Sequence, residues 1–286
     1  MTQALTQAQA QALALLRERG PDPDAESALL GQWLLTQAGL DEAGGLVTVA
    51  PGSAHDSVAL RGERLSGTAH RVPWADEAER IALLLDGRVV AVERAHVTIH
   101  PRANLAGDAR DTVVFEDARA QPGAGMEPDE LLMRGALTRI ALMAGALDRV
   151  YEIAVRHAGE RRQFGRPIGA FQAVQQHLVT IAQQAALAGA AAATTARRPG
   201  GFEIAAGKLL ANRAALSAGR AAHQVLGARG TTREHPLGQL TCRLWAWRSE
   251  YGDEHRWSTT LGAAVARAGA DSLYPAITGG STVVSL

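Results

Sequence analysis

The spacing of apolar residues divides the chain into two helical segments, a run of short strands and a series of longer helices. Apolar positions one helical turn apart predict helices over residues 6–19 and 26–38. From residue 46 the pattern changes to short β-branched runs separated by turn residues, which favours an antiparallel sheet or a small barrel. Six such strands are predicted, over residues 46–50, 57–62, 80–87, 88–95, 97–101 and 111–117.

The second half of the chain is dominated by helical periodicity. Residues 121–128 carry proline and glycine and predict a linker. Beyond it, apolar residues keep to one face of successive helices, and the short connections favour antiparallel neighbours in a bundle. The five predicted helices are centred on residues 140–155, 171–197, 205–226, 237–251 and 254–268.

Composition and charge exclude several classes of protein. Acidic and basic residues balance at 29 each, so net charge signals neither a nucleic-acid nor a membrane partner. The single cysteine, Cys242, excludes an internal disulfide and a cysteine metal cluster, and Lys208 is the only lysine. No apolar run is long enough to cross a bilayer, and the N-terminus lacks the basic start of a signal peptide. We therefore expect a cytoplasmic protein with no metal.

One stretch between two predicted helices, residues 160–175, is unusual for a connector. It contains three arginines (Arg161, Arg162 and Arg166), the aromatic Phe164 and a glycine–proline turn. A guanidinium held beside an aromatic ring suits an anionic ligand such as a pyrophosphate. A surface loop with solvated arginines is the alternative, and the residues alone leave the two interpretations evenly matched.

The order of residues in this stretch is that of a known signature. It resembles the R-x-x-F-G-x-x-[IL] motif, followed by a glutamine, of the acyl-CoA dehydrogenase family. Residues 129–262 resemble the C-terminal helical domain of that family, and residues 47–121 resemble its middle β-domain more weakly. The resemblance implies an α+β fold, mostly α, whose N-terminal helical domain is severely shortened. Its expected parts are a truncated N-terminal helical segment (1–45), a middle antiparallel β-domain (46–122), a C-terminal helical bundle (123–272) and a tail (273–286).

The resemblance implies a set of FAD-binding residues in the 160–175 stretch. Arg161 matches an arginine that reaches the FAD pyrophosphate across a subunit interface, where a charge-assisted contact is strong. Gln163 and Phe164 match positions that pack against the adenosine half, and Gln172 matches one that bonds near the adenine. Packing at the start of a helix is the alternative role for Phe164 and Gln172.

A second FAD-binding stretch is implied at the end of the third bundle helix. Gln224, Gly227 and Gly230 match a family motif whose glutamine and glycines approach the diphosphate of the neighbouring subunit's flavin. Ala228 stands where the family has another glycine, and Arg229 adds a charge. A helix that simply ends at a glycine is the alternative.

Flavin contacts are also conceivable in the predicted β-domain. Residues 65–78 resemble the family's strand and turn at the flavin face, but Pro73 replaces a residue that usually carries a hydroxyl. Arg71 and Trp74 would shape the flavin pocket, and an edge-strand position is the equally weighted alternative for both.

The carboxylate that the family uses as a catalytic base is missing at both usual positions. Glu234 resembles the glutamate that precedes the base by seventeen residues in the family. The residue seventeen positions after Glu234 is Tyr251. The other position falls near Arg134. The chain therefore resembles the short subunits of bacterial α2β2 acyl-CoA dehydrogenases, in which the partner supplies the base, and no catalytic residue is assigned here.

Three functional hypotheses follow from the sequence. The first is an FAD-binding subunit that desaturates an acyl-CoA to the 2,3-enoyl-CoA in a homo- or hetero-oligomer with a related chain. The second is a cofactor-free scaffold or assembly subunit with the same fold. The third is a self-sufficient enzyme that uses another base, such as Glu250.

Overall fold

The computed structural model describes residues 5–232 and 234–280, which divide into two compact units. The β-unit comprises residues 6–16 and 21–135, and the helical unit comprises residues 17–20 and 136–280. Residues 1–4 of the predicted N-terminal segment and 281–286 of the predicted tail lie outside the described residues.

Short helical elements precede the sheet. Helix α1 (Gln7–Arg19) agrees with the prediction, but the predicted helix over 26–38 is divided into α2 (Pro23–Glu26), a π-helical turn (Ser27–Gly31) and α3 (Gln32–Gln37). Close packing accompanies the irregular turn. A Cβ atom at Gly31 would lie 2.1 Å from the carbonyl oxygen of Val47, and the amide of Val47 donates to the Ser27 hydroxyl at 2.8 Å. Apolar periodicity carries no information about such a local widening.

The β-unit is built on a sheet in which all strand pairs but one are antiparallel. The strands are β1 (Val47–Val49), β2 (Ala59–Arg61), β3 (Arg64–Pro73), β4 (Arg80–Leu85), β5 (Arg88–Glu93), β6 (Thr98–His100) and β7 (Arg110–Gly125). Their order is β1-β4-β5-β7-β3-β2, with β6 also pairing with β7, and β1 runs parallel to β4. Side chains that include Leu65, Val90 and Phe115 form the buried core of the sheet.

The predicted linker over residues 121–128 is largely strand. Strand β7 continues to Gly125, where Gln121 and Pro122 pair with Ala91 and Val90 of β5. Proline and glycine usually interrupt a strand, so the sequence predicted a break here. The pairing with β5 that continues the strand is not visible from the local sequence.

The helical unit contains the long helices that periodicity predicts. They are α4 (Pro128–Glu160), α5 (Gln172–Arg197), α6 (Gly201–Leu226), α7 (Pro236–Ser249), α8 (Glu254–Ala268) and α9 (Leu273–Gly279). A small hairpin of β8 (Arg162–Gln163) and β9 (Arg166–Pro167) lies between α4 and α5. The predicted α+β class, with a middle sheet and a C-terminal helical bundle, is confirmed. No helix among the described residues is both long enough and apolar enough to cross a membrane.

A buried lysine holds α6 against the turn between α7 and α8. The ammonium group of Lys208 donates to the side-chain oxygen of Asn212 at 2.7 Å. It also donates to the carbonyl oxygens of Trp247 at 3.0 Å, Arg248 at 3.3 Å and Gly252 at 3.1 Å. Carbonyl groups at a helix end have no partner within the helix, so this side chain satisfies acceptors that burial would otherwise leave unpaired.

The turn itself depends on a glycine. Gly252 has a φ of +96°, and a Cβ atom there would lie 2.4 Å from the indole nitrogen of Trp257. That nitrogen donates to the carbonyl oxygen of Tyr251 at 3.1 Å, and the Asp253 side chain caps α8 by accepting from the Arg256 amide at 2.9 Å. The backbone between α7 and α8 is thus fixed from both sides.

We expect Lys208→Met to destabilise the protein by about 2–4 kcal/mol. Methionine fills similar space, but it removes the donor from the carbonyl oxygen of Trp247 and leaves that of Gly252 with only the longer contact from the Asn212 amide at 3.3 Å. Urea unfolding followed by circular dichroism measures the loss. Arg197→Met, at an exposed position on α5, is the matched control and should stay within about 0.5 kcal/mol of wild type. Equal stability of both variants would show that the buried ammonium group is not needed.

The same lysine predicts a pH dependence of stability. Burial lowers the pKa of Lys208 from its ordinary 10.5 to about 7, with a further decrease from the charge of Arg139. Between these two pH values the unfolded chain binds a proton that the folded chain does not, so unfolding becomes harder as pH rises. The stability difference between wild type and Lys208→Met should therefore widen from pH 7 towards pH 10. A difference that stays constant over this range would mean that the folded lysine remains protonated.

Candidate functional site

The 160–175 stretch forms a tight hairpin that projects from the end of α4. Strands β8 and β9 are joined by the two-residue loop of Phe164 and Gly165, whose φ angles are +51° and +79°. Positive φ at both central residues is the geometry of a type I′ turn, which favours asparagine and glycine rather than an aromatic residue. The Arg162 side chain donates to the carbonyl oxygen of Gly165 at 3.0 Å and stabilises the loop.

The tip of this hairpin exposes a large aromatic ring. The Phe164 side chain is 90% exposed, and its only ring neighbour in the described chain is Phe171, edge-on with the ring centroids 6.0 Å apart. The guanidinium of Arg166 lies 4.1 Å from the centre of the Phe171 ring. A strained backbone that places an apolar ring in solvent costs free energy in the isolated chain, so such a ring indicates a binding role.

The polar residues predicted to hold FAD surround the hairpin and are exposed. Arg161, Gln163 and Gln172 are all accessible to solvent. The Arg161 backbone is fixed, since its amide donates to the His157 carbonyl at 2.9 Å and its carbonyl accepts from the Ile168 amide at 2.8 Å. Its guanidinium forms no hydrogen bond or ion pair with any residue that the structure describes, and it is therefore free to bind an anion.

A histidine links this hairpin to the second predicted FAD stretch. Burial lowers the pKa of His157, and the positive charges of Arg229, His235 and Arg161 lower it further, while Glu160 acts in the opposite direction. The charges of Arg161 and Arg229 therefore act on the same imidazole. The fold thus brings Arg161 at the end of α4 and Arg229 in the loop after α6 close to His157, and these residues with His235 are called the basic cluster here.

The residues of the second stretch have different surroundings. Gln224 is exposed, whereas Gly230 is buried so closely that a Cβ atom would lie 3.0 Å from side-chain atoms of Leu226 and Leu237. Gly227 ends α6 with a φ of +57° and a ψ of −146°, a conformation that is essentially restricted to glycine. Each glycine therefore has a conformational or packing role in the chain itself.

An open groove begins at Gln224 and follows α5 and α6. Its volume is about 690 Å³, and its polar lining comes mainly from two helices. These side chains are His177 and Thr180 of α5 and Arg213, Ser217, Arg220 and Gln224 of α6. The ion pair of Arg248 and Glu254 closes one end of the groove.

No carboxylate is available at the first expected base position. Tyr251 is buried there, with a φ of +53°, and the guanidinium of Arg139 lies 5.3 Å from the centre of its ring. The neighbouring Glu250 accepts from the Nε of Arg139 at 2.6 Å, and the Arg139 side chain is fully buried. A carboxylate held by a buried guanidinium is stabilised as the anion and is a weak base, which argues against Glu250 in that role.

The second expected base position also carries no proton acceptor. The Arg134 side chain is buried in the β-unit, where its Nε donates to the Leu29 carbonyl at 2.9 Å and its guanidinium lies 5.1 Å from the Trp33 ring centre. Burial lowers the pKa of Arg134 to about 10. The group remains cationic near neutral pH and cannot remove a proton from a substrate.

The residues discussed for a flavin pocket in the β-unit have unusual backbone conformations. Arg71 and Trp74 have φ angles of +60° and +51°, on either side of Val72 and Pro73 at the end of β3. The carbonyl oxygen of Pro73 accepts a hydrogen bond from the Thr48 hydroxyl. The backbone at this turn is therefore strained, and the hydrogen bond from Thr48 ties the turn to β1.

Sequence reasoning missed His157 and the two groove arginines. His157 precedes Arg161 by four residues, and the Arg161 amide, just past the end of α4, donates to the His157 carbonyl at 2.9 Å, so this spacing was an available signal. Arg213 and Arg220 also share a face of α6, being seven residues apart. Their importance emerges only when α5 supplies the opposite wall of the groove.

Together, these features bring two arginines and an exposed aromatic ring to one region of the helical unit. Guanidinium groups suit phosphate charge, and an aromatic side chain suits packing against another ring. The two expected base positions hold a tyrosine and an arginine, neither of which accepts a proton near neutral pH.

Comparison with a family model agrees with this description. Residues 128–249 match the model of the acyl-CoA dehydrogenase C-terminal domain, a range that includes the hairpin, the basic cluster and the groove helices α5 and α6.

Curated relatives share part of this chain. The acyl-CoA dehydrogenase IpdE2 of Mycobacterium tuberculosis is 26% identical over 205 residues, which is 62% of this chain and 63% of that protein. The benzylmalonyl-CoA dehydrogenase of Aromatoleum aromaticum is 36% identical over 107 residues, which is 34% of this chain and 27% of that protein. The chain thus spans less than two thirds of the length of these relatives.

Solved structures extend the similarity to nearly the whole fold. A chain of the ChsE4–ChsE5 complex from Mycobacterium tuberculosis matches 94% of this chain and 85% of its own length, with a TM-score of 0.78 and 21% identity. Glutaryl-CoA dehydrogenase from Mycobacterium smegmatis matches 93% of this chain and 88% of its own length, with a TM-score of 0.74 and 19% identity. Residues 128–249 therefore match the acyl-CoA dehydrogenase C-terminal domain, and the whole fold is similar to that of solved acyl-CoA dehydrogenases such as glutaryl-CoA dehydrogenase.

Proposed function

We propose that this chain is a flavin-binding subunit of an acyl-CoA dehydrogenase and that a related second chain supplies the catalytic base. The observation that carries the proposal is the exposed hairpin, on which Phe164 and the unpaired Arg161 stand beside the basic cluster. The hairpin presents part of a site, because the Arg161 guanidinium has no partner among the described residues and the Phe164 ring touches only the edge of Phe171.

The residues around the hairpin fit the chemistry of FAD. Arg161 and Arg229 would neutralise the pyrophosphate, with His157 close to both. Phe164 would cover the adenosine half, and the amides of Gln163, Gln172 and Gln224 would bond to its polar edge. When bound, FAD supplies the acceptor for the hydride that leaves the β-carbon as an acyl-CoA becomes the 2,3-enoyl-CoA.

The need for a second chain follows from proton transfer. The α-carbon of an acyl-CoA loses a proton in this reaction, and a positioned base must take it. Tyr251 is a phenol with its ring against Arg139, Arg134 is a cation, and Glu250 is bound by Arg139. A carboxylate from a related chain completes the site, and the similarity to a chain from a complex of two proteins supports this arrangement.

A second candidate function, a cofactor-free assembly subunit, is favoured by the glycines of the second stretch. Gly230 is buried and Gly227 terminates α6, so their presence has an explanation that needs no flavin. Flavin content separates the two functions, because an assembly subunit would raise the activity or yield of its partner without changing the flavin bound per complex.

One test of flavin binding concerns Arg161. When the chain is co-expressed with a full-length acyl-CoA dehydrogenase encoded nearby, the purified complex should be yellow. Arg161→Ala should weaken flavin binding by about 10- to 100-fold, the loss expected for one charge-assisted contact to phosphate. Flavin released by denaturation and measured by absorbance gives the occupancy.

Arg197→Ala, which removes an exposed arginine from the far end of α5, is the control for Arg161→Ala and should leave flavin content unchanged. Two results would contradict the proposal. One is a colourless complex with every neighbouring dehydrogenase, and the other is full flavin content in the Arg161→Ala complex.

The second prediction separates stability from binding at Phe164. Phe164→Gly removes the strain of a left-handed aromatic residue but makes the unfolded chain more flexible, so the isolated chain should stay within about 1 kcal/mol of wild type. The flavin content of the co-expressed complex should nevertheless fall. Thermal unfolding and flavin release measure the two effects. Lower stability with unchanged flavin content would show that Phe164 serves the fold instead.

A further inference from the structure

The β-unit buries an arginine whose charge is not balanced by any carboxylate in the described part of the chain. Arg134, near the start of α4, is only 4% exposed. Its Nε donates to the Leu29 carbonyl at 2.9 Å, but neither terminal nitrogen has a hydrogen-bond partner among the described residues, and Nη2 is fully buried. Burial alone lowers the pKa of Arg134 to about 10, without a nearby carboxylate to raise it. A buried charge without a counter-ion is costly to maintain.

A second buried arginine on the same helix is treated differently. The Arg139 side chain is fully buried, and its Nε donates to the Glu250 carboxylate at 2.6 Å. The charge of Arg139 is therefore neutralised inside the protein, whereas that of Arg134 is not. Breaking a buried ion pair by removing one partner is strongly destabilising, because the remaining charge has no compensation. Arg134 has such an uncompensated charge in the described chain, so an anion from outside would stabilise it.

The surroundings of Arg134 are partly aromatic and fixed in place. Its guanidinium lies 5.1 Å from the centre of the Trp33 ring. Leu29, whose carbonyl accepts from Arg134, belongs to the π-helical turn before α3, and such turns are frequent at functional sites. The same turn packs tightly against β1, since a Cβ atom at Gly31 would lie 2.1 Å from the Val47 carbonyl oxygen. The guanidinium is thus positioned by a ring and by a carbonyl that cannot move freely.

A carboxylate attached to an apolar body fits these surroundings. The terminal nitrogens of a guanidinium can donate two parallel hydrogen bonds to one carboxylate. A phosphate carries more charge and is usually held by several cations, but no second cation contributes to the pKa of Arg134. The Trp33 ring can also cover hydrocarbon next to the carboxylate. The anionic groups of coenzyme A are phosphates, so a carboxylate in an acyl-CoA must belong to the acyl group.

We infer that Arg134 binds a carboxylate on the acyl group of the substrate, and that the substrate class is therefore a carboxyacyl-CoA. This inference rests on the proposed function, because it names the substrate class of that reaction. Arg134 determines specificity by contacting the second acid group, and it takes no part in proton or hydride transfer. A plain acyl-CoA would leave the buried charge unpaired, and a site with an unpaired buried polar group rejects such an analogue.

The charge of Arg134 can be tested first without any ligand. Arg134→Met and Arg139→Met each replace one buried guanidinium group of α4. Arg134→Met should lower the melting temperature by less than Arg139→Met does, or should raise it, because it removes an unpaired charge instead of breaking an ion pair. Circular dichroism measures both transitions. An equal or larger loss in Arg134→Met would show that the chain itself compensates the charge, and it would overturn the inference.

Calorimetry of the co-expressed complex, without an electron acceptor, then tests the ligand. The probes are the carboxyacyl-CoA thioesters from succinyl-CoA to suberyl-CoA, each compared with the plain acyl-CoA of the same carbon number. For at least one length, the carboxylated thioester should bind at least about tenfold more tightly than the plain one. Arg134→Gln should abolish this preference by weakening only the carboxylated thioester, so the plain thioester reports whether the variant is folded.

A second variant covers the case in which Arg134→Gln loses affinity for both thioesters. Arg134→Lys keeps the positive charge but offers no bidentate contact, so it should bind both thioesters and retain part of the preference. Absence of any preference in Arg134→Lys would then overturn the inference. Arg197→Gln, at an exposed position of α5, is the matched control and should keep the full preference of wild type.

Four further results would overturn the inference. Wild type could show no preference at any length, or Arg134→Gln could retain the preference. Binding of free glutarate that requires Arg134, without a preference among the thioesters, would assign the guanidinium to a free carboxylate. Loss of co-purification with the second chain in Arg134→Gln, again without a preference in wild type, would assign it to a carboxylate of that chain.

These measurements separate the substrate class from the proposed function. Calorimetric binding needs neither flavin nor turnover, whereas flavin content and enoyl-CoA formation report the proposed reaction. A colourless complex that prefers a carboxylated thioester through Arg134 would contradict the proposed flavin chemistry and leave the ligand class standing. A yellow, active complex without this preference would leave the proposed function standing and overturn the inference.

Discussion

The ammonium group of Lys208 fixes the distance between α6 and the turn that joins α7 to α8. Three backbone carbonyls and one side-chain amide surround it, and Gly252 lets the turn come close enough to contribute. The turn carries Tyr251, while the flanking Arg248 and Glu254 close one end of the groove. The central position of this buried side chain explains why both the turn that carries Tyr251 and the groove have a defined shape in one chain.

Three exposed arginines of the helical unit have no carboxylate partner among the described residues. Arg161, Arg213 and Arg220 remain in water, where an exposed charge costs little and an exposed ion pair would add little. The same charges act much more strongly once a ligand or another chain excludes the solvent around them. The ring of Phe164 is also exposed, and its burial lowers the free energy only when another group covers the hairpin.

The sequence predicted the regular parts of the fold because their signals are local. Helical periodicity located α6, α7 and α8 closely, and β-branched runs located six of the strands, whereas β3 was indicated only by the resemblance of residues 65–78 to a strand and turn. The predictions failed where packing changed the backbone. A π-helical turn over Ser27–Gly31 divides a predicted helix because the chain packs tightly against β1, and β7 absorbs a predicted linker because β5 offers hydrogen-bond partners. Neither partner is visible from the neighbouring residues in sequence.

By itself, the sequence determined the fold class and the resemblance of the Arg161 and Phe164 stretch to an acyl-CoA dehydrogenase signature, because these depend on residue type and short-range order. It also determined that a tyrosine and an arginine occupy the expected base positions. Only the tertiary structure decided that His157 shares a charge environment with Arg161 and Arg229, that Glu250 is held by a buried guanidinium, and that α5 and α6 enclose a basic groove. Electrostatic and packing effects depend on distances between residues far apart in the chain, and folding sets those distances.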